Sequence, residues 1–134
     1  MKKSLFVLPI LVALFFAFHS SSRSAEEFAF ISTEDLSKGI QSKALFVVDC
    51  NSPDLYQQKH IPTAAHMNSS EPDPKVLPKD KNTPLVFYCK NPHCMASHDG
   101  ARFAQKQGYP NVRVYPLGID GWEQAGMTLE SAKP

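Results

Sequence analysis

The sequence predicts an α/β fold, a sandwich in which a mostly parallel central sheet is flanked by helices. Two continuous apolar runs carry the expectation, ALFVVDC from Ala44 to Cys50 and PLVFYC from Pro84 to Cys89. Runs of this length without polar alternation read as strands buried on both faces, as in a parallel sheet. A third run, NVRVYPL from Asn111 to Leu117, lies between two helical patterns. Strand and helix therefore alternate along the chain, the order that a layered α/β domain requires.

The elements follow in order. FAFI, Phe28 to Ile31, is a short apolar strand, after which Ser32 is an N-cap with Asp35 three residues on, and Leu36 and Ile40 fall at helical spacing. Gly39 keeps this helix short. Ala44 to Cys50 is the second strand. Ser52 opens a helical turn with Pro53 at its first position. His60 to Met67 leads through a small strand into NSSEPDPKVLPKDKNTP, whose prolines and charges read as a surface loop. Pro84 to Cys89 is a strand running into VFYCKNPHCMASHDGARF. The helical pattern that follows lines Ser97, Ala101 and Ala104 along one side and ends at Gly108 as a C-cap. After the strand in NVRVYPL, GIDGWEQAG is a turn and a last short helix carrying Trp122, read as core packing against the sheet.

The first 24 residues are expected to be a signal peptide: Lys2 and Lys3, then an apolar run from Leu5 to Phe18 interrupted by Pro9, then a small polar stretch with Ser22 and Ser24. Residues 25–134 form a single domain on this reading, in the periplasm or secreted, with no membrane contact after cleavage. Without Lys2, Lys3 and Arg23 the basic residues fall from 14 to 11 against 13 acidic ones, a net charge near −2. That balance argues against a nucleic-acid or anionic-membrane partner. Three cysteines in an oxidising compartment allow one internal disulfide and leave one thiol over.

In parallel sheets the working site lies beyond the strands' carboxyl ends, where Asp49, Cys50 and Cys89 fall. At this point FVVDCNSPDLYQQKHIPTAAHMN resembles the first signature of the rhodanese-like domains, a buried strand ending in Asp, an acidic-hydrophobic turn, and His-Ile-Pro before small residues. LVFYC, the helix ending in Gly-Tyr, NVRVY and GIDGWEQAG are similar to the second half, in the same order and over essentially all of the mature chain. The resemblance implies a rhodanese-like sandwich and a sulfurtransferase in which Cys89 is the nucleophile, accepting sulfane sulfur as a persulfide. Its donor would be a small sulfur compound and its acceptor a thiol, a cyanide-type nucleophile or a protein thiol. No cofactor is implied. The chain departs from the family pattern at Asn51, Lys59 and Thr63, keeps only Gly118 of a Gly-Gly pair, and has an elongated loop in which Ala96 stands where an arginine usually precedes the hydroxyl residue, here Ser97.

The chemistry of that loop follows from the thiol. Only a thiolate attacks sulfur, so a reactive cysteine needs positive potential or donated N–H groups. The unpaired amides of a first helical turn supply them, with the loop amides of Lys90, Asn91, His93, Cys94, Met95 and Ala96, while Pro92 removes one amide from that set. Lys90, His93 and His98 are the basic side chains on hand. The helix starts at about Ala96, or at Pro92 with Asn91 as its N-cap. Cys94 has three open roles: a resolving thiol that forms a disulfide with Cys89, a resting disulfide partner, or a plain loop residue. Cys50 is an alternative partner for Cys89, and otherwise a core thiol. Cys89, His93, Cys94 and His98 are spaced C-x3-H-C-x3-H, which matches no standard zinc pattern, so no metal is expected. Asp49 is read as accepting hydrogen bonds from loop backbone and fixing the site floor. His60 anchors a turn in the same support, and Tyr88 packs with its hydroxyl toward a polar edge. The rival readings are a rhodanese fold that only binds a partner protein, and a Cys/His metal-binding protein.

Overall fold

The computed structural model describes residues 27–132. The signal peptide expected at residues 1–24 lies outside them, and among the described residues no helix is long and apolar enough to cross a membrane. Five parallel strands, β1 (Ala29–Phe30), β2 (Phe46–Asp49), β3 (Ala65–His66), β4 (Leu85–Tyr88) and β5 (Val112–Val114), pair in the order β1-β5-β4-β2-β3. The helices are α1 (Thr33–Gln41), α2 (Pro53–Gln58), α3 (Ala96–Lys106) and α4 (Gly118–Gln124). The surface loop expected after Met67 contains one 3-10 turn, Pro74–Val76.

Period-two alternation along the strands sorts the core into two layers. Leu85, Phe87 and Cys89 pack with Val48, Cys50, Ala101 and Ala104 on the face that α3 covers. Val86 and Tyr88 pack with Val47, Leu36, Ile119 and Trp122 on the face that α1 and α4 cover. Ala101 and Ala104 are completely buried, and Gly100 meets the sheet so closely that a Cβ there would sit 2.8 Å from Cys50 Sγ. The small side of α3 read from the sequence is thus what lets the helix lie on β4 and β5.

The caps are as expected at the first two helices. Ser32 Oγ accepts from the Asp35 amide at 3.1 Å, and Ser52 Oγ from the Leu55 amide at 3.4 Å with Pro53 opening the helix. At the end of α3 the cap is Gln107, and Gly108, with φ +92°, turns the chain away just beyond it. Trp122 packs edge-on to Tyr115 and donates to the Thr128 carbonyl at 2.8 Å.

The connections decide where the site can be. From β2 the chain moves to β3 at one edge; from β4 it moves to β5, the other way. Between the carboxyl ends of β2 and β4 lies the topological switch point, the crevice in which open α/β sheets place their ligands. Filling the α3 contact tests this packing. Ala104→Leu is expected to lower stability by about 1–3 kcal/mol, read as a lower denaturant midpoint with an unchanged slope.

Candidate functional site

β2 and β4 end side by side, with Asp49 paired to Tyr88 in register. Asp49 is fully buried; its Oδ1 accepts from the Asn51 amide at 2.7 Å, and its Oδ2 accepts the Tyr88 hydroxyl proton. The Tyr88 oxygen in turn accepts from the Ile61 amide at 2.9 Å. Burial pushes the Asp49 carboxyl up, and the hydrogen bonds from Tyr88 and Asn51 draw it only partway back. Asp49 therefore does hold loop backbone, as the sequence indicated. It does so from the face opposite Cys89, pinning strand ends rather than touching sulfur. Tyr88 differs from expectation: its hydroxyl is not at a polar edge but is the buried centre of this chain. No local pattern revealed it, because its partner is defined by strand pairing.

His60 is buried on the same side, stacked on Tyr56 with ring centroids 4.2 Å apart, its Nδ1 2.8 Å from the Tyr56 carbonyl. Its backbone pairs with that of Glu130 in an isolated antiparallel bridge. It anchors a turn.

Cys89 follows β4 and is 2% exposed. Its backbone is gripped by the start of α4: the Ile119 amide donates to the Cys89 carbonyl and the Asp120 amide to the Lys90 carbonyl, both at 3.0 Å. Gly118, with φ +63°, permits this approach, since a Cβ there would lie 2.5 Å from the Lys90 carbonyl. The loop then turns on Asn91, whose Oδ1 accepts from the His93 amide and whose carbonyl accepts from the Cys94 amide, each at 3.1 Å. Asn91 Nδ2 reaches Asp120 Oδ2 at 3.3 Å. Asn91 is thus a turn former and not a helix cap. Of the two helix starts the sequence allowed, α3 takes the later one, at Ala96 with Met95 as N-cap. Lys90, Pro92, His93 and Met95 are exposed, Ala96 is half-buried, and Ser97 is buried.

The Cys89 thiol points at this turn, donating to the Cys94 carbonyl oxygen at 3.1 Å and to Ser97 Oγ at 3.4 Å. Burial, followed by the hydrogen bond with the Cys94 thiol, pushes it up to about 11, against the opposing pull of the Ser97 hydroxyl and amide. Cys94 is half-buried. Burial also pushes its thiol up, but the hydrogen bond from Cys89 and the backbone of Lys90 and Ala96 outweigh that and hold it below the ordinary thiol range. Cys50 lies under α3 with its thiol pushed well up by burial. All three cysteines are free thiols.

The basic side chains divide. Lys90 and His93 are exposed beside the loop, whereas His98 places its Nδ1 3.5 Å from Ser97 Oγ and its ring edge-on to Phe28 and Phe30, with centroids 5.9 Å and 6.4 Å away. Arg102 is tied to Glu27 at 2.5 Å and Asp99 at 2.6 Å. Among the described residues no three His, Cys, Asp or Glu side chains converge to hold a metal ion. Charge at the sulfurs is met by the Ser97 hydroxyl, the neighbouring thiol and backbone N–H groups, not by a guanidinium.

An α/β sheet with a cysteine at the carboxyl end of its central strand, beside the first turn of the next helix, defines a class of proteins that present a thiol to helix amides. The comparisons specify which. A model of the rhodanese-like domain matches residues 32–125, and the chain belongs to this family of sulfurtransferase domains. It is similar to the thiosulfate sulfurtransferase GlpE of Actinobacillus pleuropneumoniae serotype 7, 26% identical over 108 residues that cover 81% of this chain and 98% of that protein. Solved structures share the fold. A thiosulfate sulfurtransferase from Pseudomonas aeruginosa superposes with a TM-score of 0.67 at 22% identity, covering 79% of this chain and 21% of that one. The human single-domain sulfurtransferase TSTD1 does so with a TM-score of 0.61 at 19% identity, covering 71% of this chain and 95% of that one.

Two predictions follow from the geometry. Tyr88→Phe leaves the Ile61 amide and Asp49 Oδ2 unpartnered, an expected loss of about 2–4 kcal/mol at neutral pH. Because Asp49 is already held above its ordinary range, the folded state favours the protonated carboxyl still more in this variant. Its deficit therefore shrinks as pH is lowered toward the ordinary carboxylate range and grows as pH rises, measured by urea unfolding across pH. Separately, iodoacetamide at about pH 7–8 should modify Cys94 at least about tenfold faster than Cys89. Trypsin cleavage after Lys90 places the two thiols on different peptides, so mass spectrometry reads each.

Proposed function

We propose that the protein is an exported sulfurtransferase that carries sulfane sulfur as a persulfide on Cys89 and delivers it to a thiophilic acceptor. The observation that carries this reading is the Cys89 thiol itself, at the end of the central strand, aimed into the first turn of α3 and 3.4 Å from Ser97 Oγ. A persulfide is an anion one atom longer than the thiolate, with an S–S bond of about 2.05 Å. Its outer sulfur would extend toward the unpaired amides of that turn, the part of a helix best suited to negative charge. Family membership and the likeness to thiosulfate sulfurtransferases support sulfane sulfur as the cargo. Export rests on the charge and hydropathy layout of the first 24 residues.

In delivery, an acceptor thiolate or cyanide attacks the outer sulfur of the Cys89 persulfide. The S–S bond breaks, and Cys89 leaves as thiolate with the electron pair. Atoms and charge balance without an outside oxidant. The test is peptide-resolved mass of the reduced protein after exposure to a sulfane donor. One added sulfur is expected on the peptide 82–90, removed by cyanide and absent in Cys89→Ser. No added sulfur on that peptide under any donor would overturn the reading and leave the partner-binding alternative ahead.

A further inference from the structure

Resting on Cys89 as the sulfur carrier, we infer that sulfur does not enter there: Cys94 is the entry nucleophile, taking the sulfane atom from a small donor at the surface and handing it inward to Cys89. Access is the first ground. Cys89 is 2% exposed and faces the α3 layer of the core, while Cys94, packed against the edge of that layer, is only half-buried. A donor in solution meets Cys94 first. Proximity is the second, because the Cys89 thiol already reaches the Cys94 residue, donating to its carbonyl oxygen at 3.1 Å.

Electrostatics point the same way. The neighbouring Cys89 thiol, and then the backbone of Lys90 and of Ala96 on either side, favour the Cys94 thiolate. The inner thiol, by contrast, is pushed up to about 11, chiefly by burial. The outer sulfur is the prepared nucleophile and the inner one the protonated reserve. The Asn91 turn sets this geometry: its carbonyl holds the Cys94 amide and its side chain is tied to Asp120.

The steps balance. Cys94 thiolate attacks the outer sulfur of a thiosulfate-type donor; the donor's S–S bond breaks, and sulfite leaves with the electron pair. The Cys89 sulfur then bonds to the outer atom of the Cys94 persulfide as the bond between that atom and Cys94 breaks. Cys94 departs with the electron pair and takes up the Cys89 proton. One sulfur has moved inward, Cys94 is restored, and no net oxidation has occurred.

The experiment is rapid-quench loading of the reduced, full domain with thiosulfate, and separately with inorganic polysulfide, followed by alkylation and tryptic mass spectrometry. In the wild type, sulfur should appear first on peptide 91–102 and then on 82–90. In Cys89→Ser it should stop on Cys94. In Cys94→Ser, and equally in Cys94→Ala, loading of Cys89 should slow at least tenfold while circular dichroism stays that of the wild type. Loading of Cys89 at the wild-type rate in both Cys94 variants would overturn the relay and leave Cys89 standing as the carrier. If the wild type took sulfur on Cys94 and none on Cys89, the carrier reading would fall, and the inward transfer with it.

Discussion

The hydrogen-bond chain from the Asn51 amide through the Asp49 carboxylate and the Tyr88 hydroxyl to the Ile61 amide fixes the carboxyl edge of the sheet. It joins the ends of β2 and β4 to the turn before β3, so the β2–β3 and β4–β5 connections both leave the sheet from set positions. A buried carboxylate is costly to hold in its charged form, and this one is kept above its ordinary range. Every group in the chain is therefore needed by the others: removing one leaves a buried donor or acceptor without a partner. Because side chains alternate across the sheet, holding Tyr88 on one face directs Cys89 to the other, under α3. The support and the sulfur are separated by the thickness of a strand.

On the sulfur side, position along the chain decides reactivity. Cys89 belongs to the end of a strand whose four residues are all buried, and it inherits that dryness. Cys94 belongs to a turn whose amides have no ladder to join. Burial alone would raise both thiols; what separates them is the supply of hydrogen bonds to the thiolate, greater at Cys94. Gly118 enters here, since the close contact of α4 with the Cys89 and Lys90 carbonyls occupies those acceptors and holds the loop's first residues still. The loop therefore turns within 91–95, where the second cysteine lies.

The sequence made the fold plain because its strongest signals are local. Continuous apolar runs marked β2 and β4, Ser32 and Ser52 marked helix starts, and the small residues of α3 marked the close contact with the sheet. Cys89, Cys94 and Ser97 were legible as one site because strand, loop and helix N-terminus are contiguous in the chain. The partnership of Tyr88 with Asp49 was hidden, since the two are 39 residues apart and meet only through parallel register. His98 was legible only in part: its place in the chain put it beside the cysteines, where its Nδ1 lies 3.5 Å from Ser97 Oγ, but nothing local showed that Phe28 and Phe30 pack edge-on against its ring.

Ala96 gives these features a common meaning. A guanidinium in the loop would offer a fixed fork matched to a multiply charged oxyanion. Arg102, the next arginine along, is held by two carboxylates and cannot substitute for it. What remains at the sulfurs is the Ser97 hydroxyl and a set of backbone dipoles, and these suit a single negative charge spread over one or two sulfur atoms. Unlike the exposed Lys90 and His93, such dipoles are fixed by the loop's own hydrogen bonds, change little with pH, and are screened weakly by salt near a buried sulfur. A site of this kind has less grip on the donor's oxyanion than on the sulfur it takes. With little binding energy available for the donor, capture depends on how readily a thiolate is presented at the surface, and retention depends on how well the product is sheltered. In the proposed relay, one cysteine in a turn and one at a strand end would meet those two demands, where a single sulfur at either place would meet only one of them.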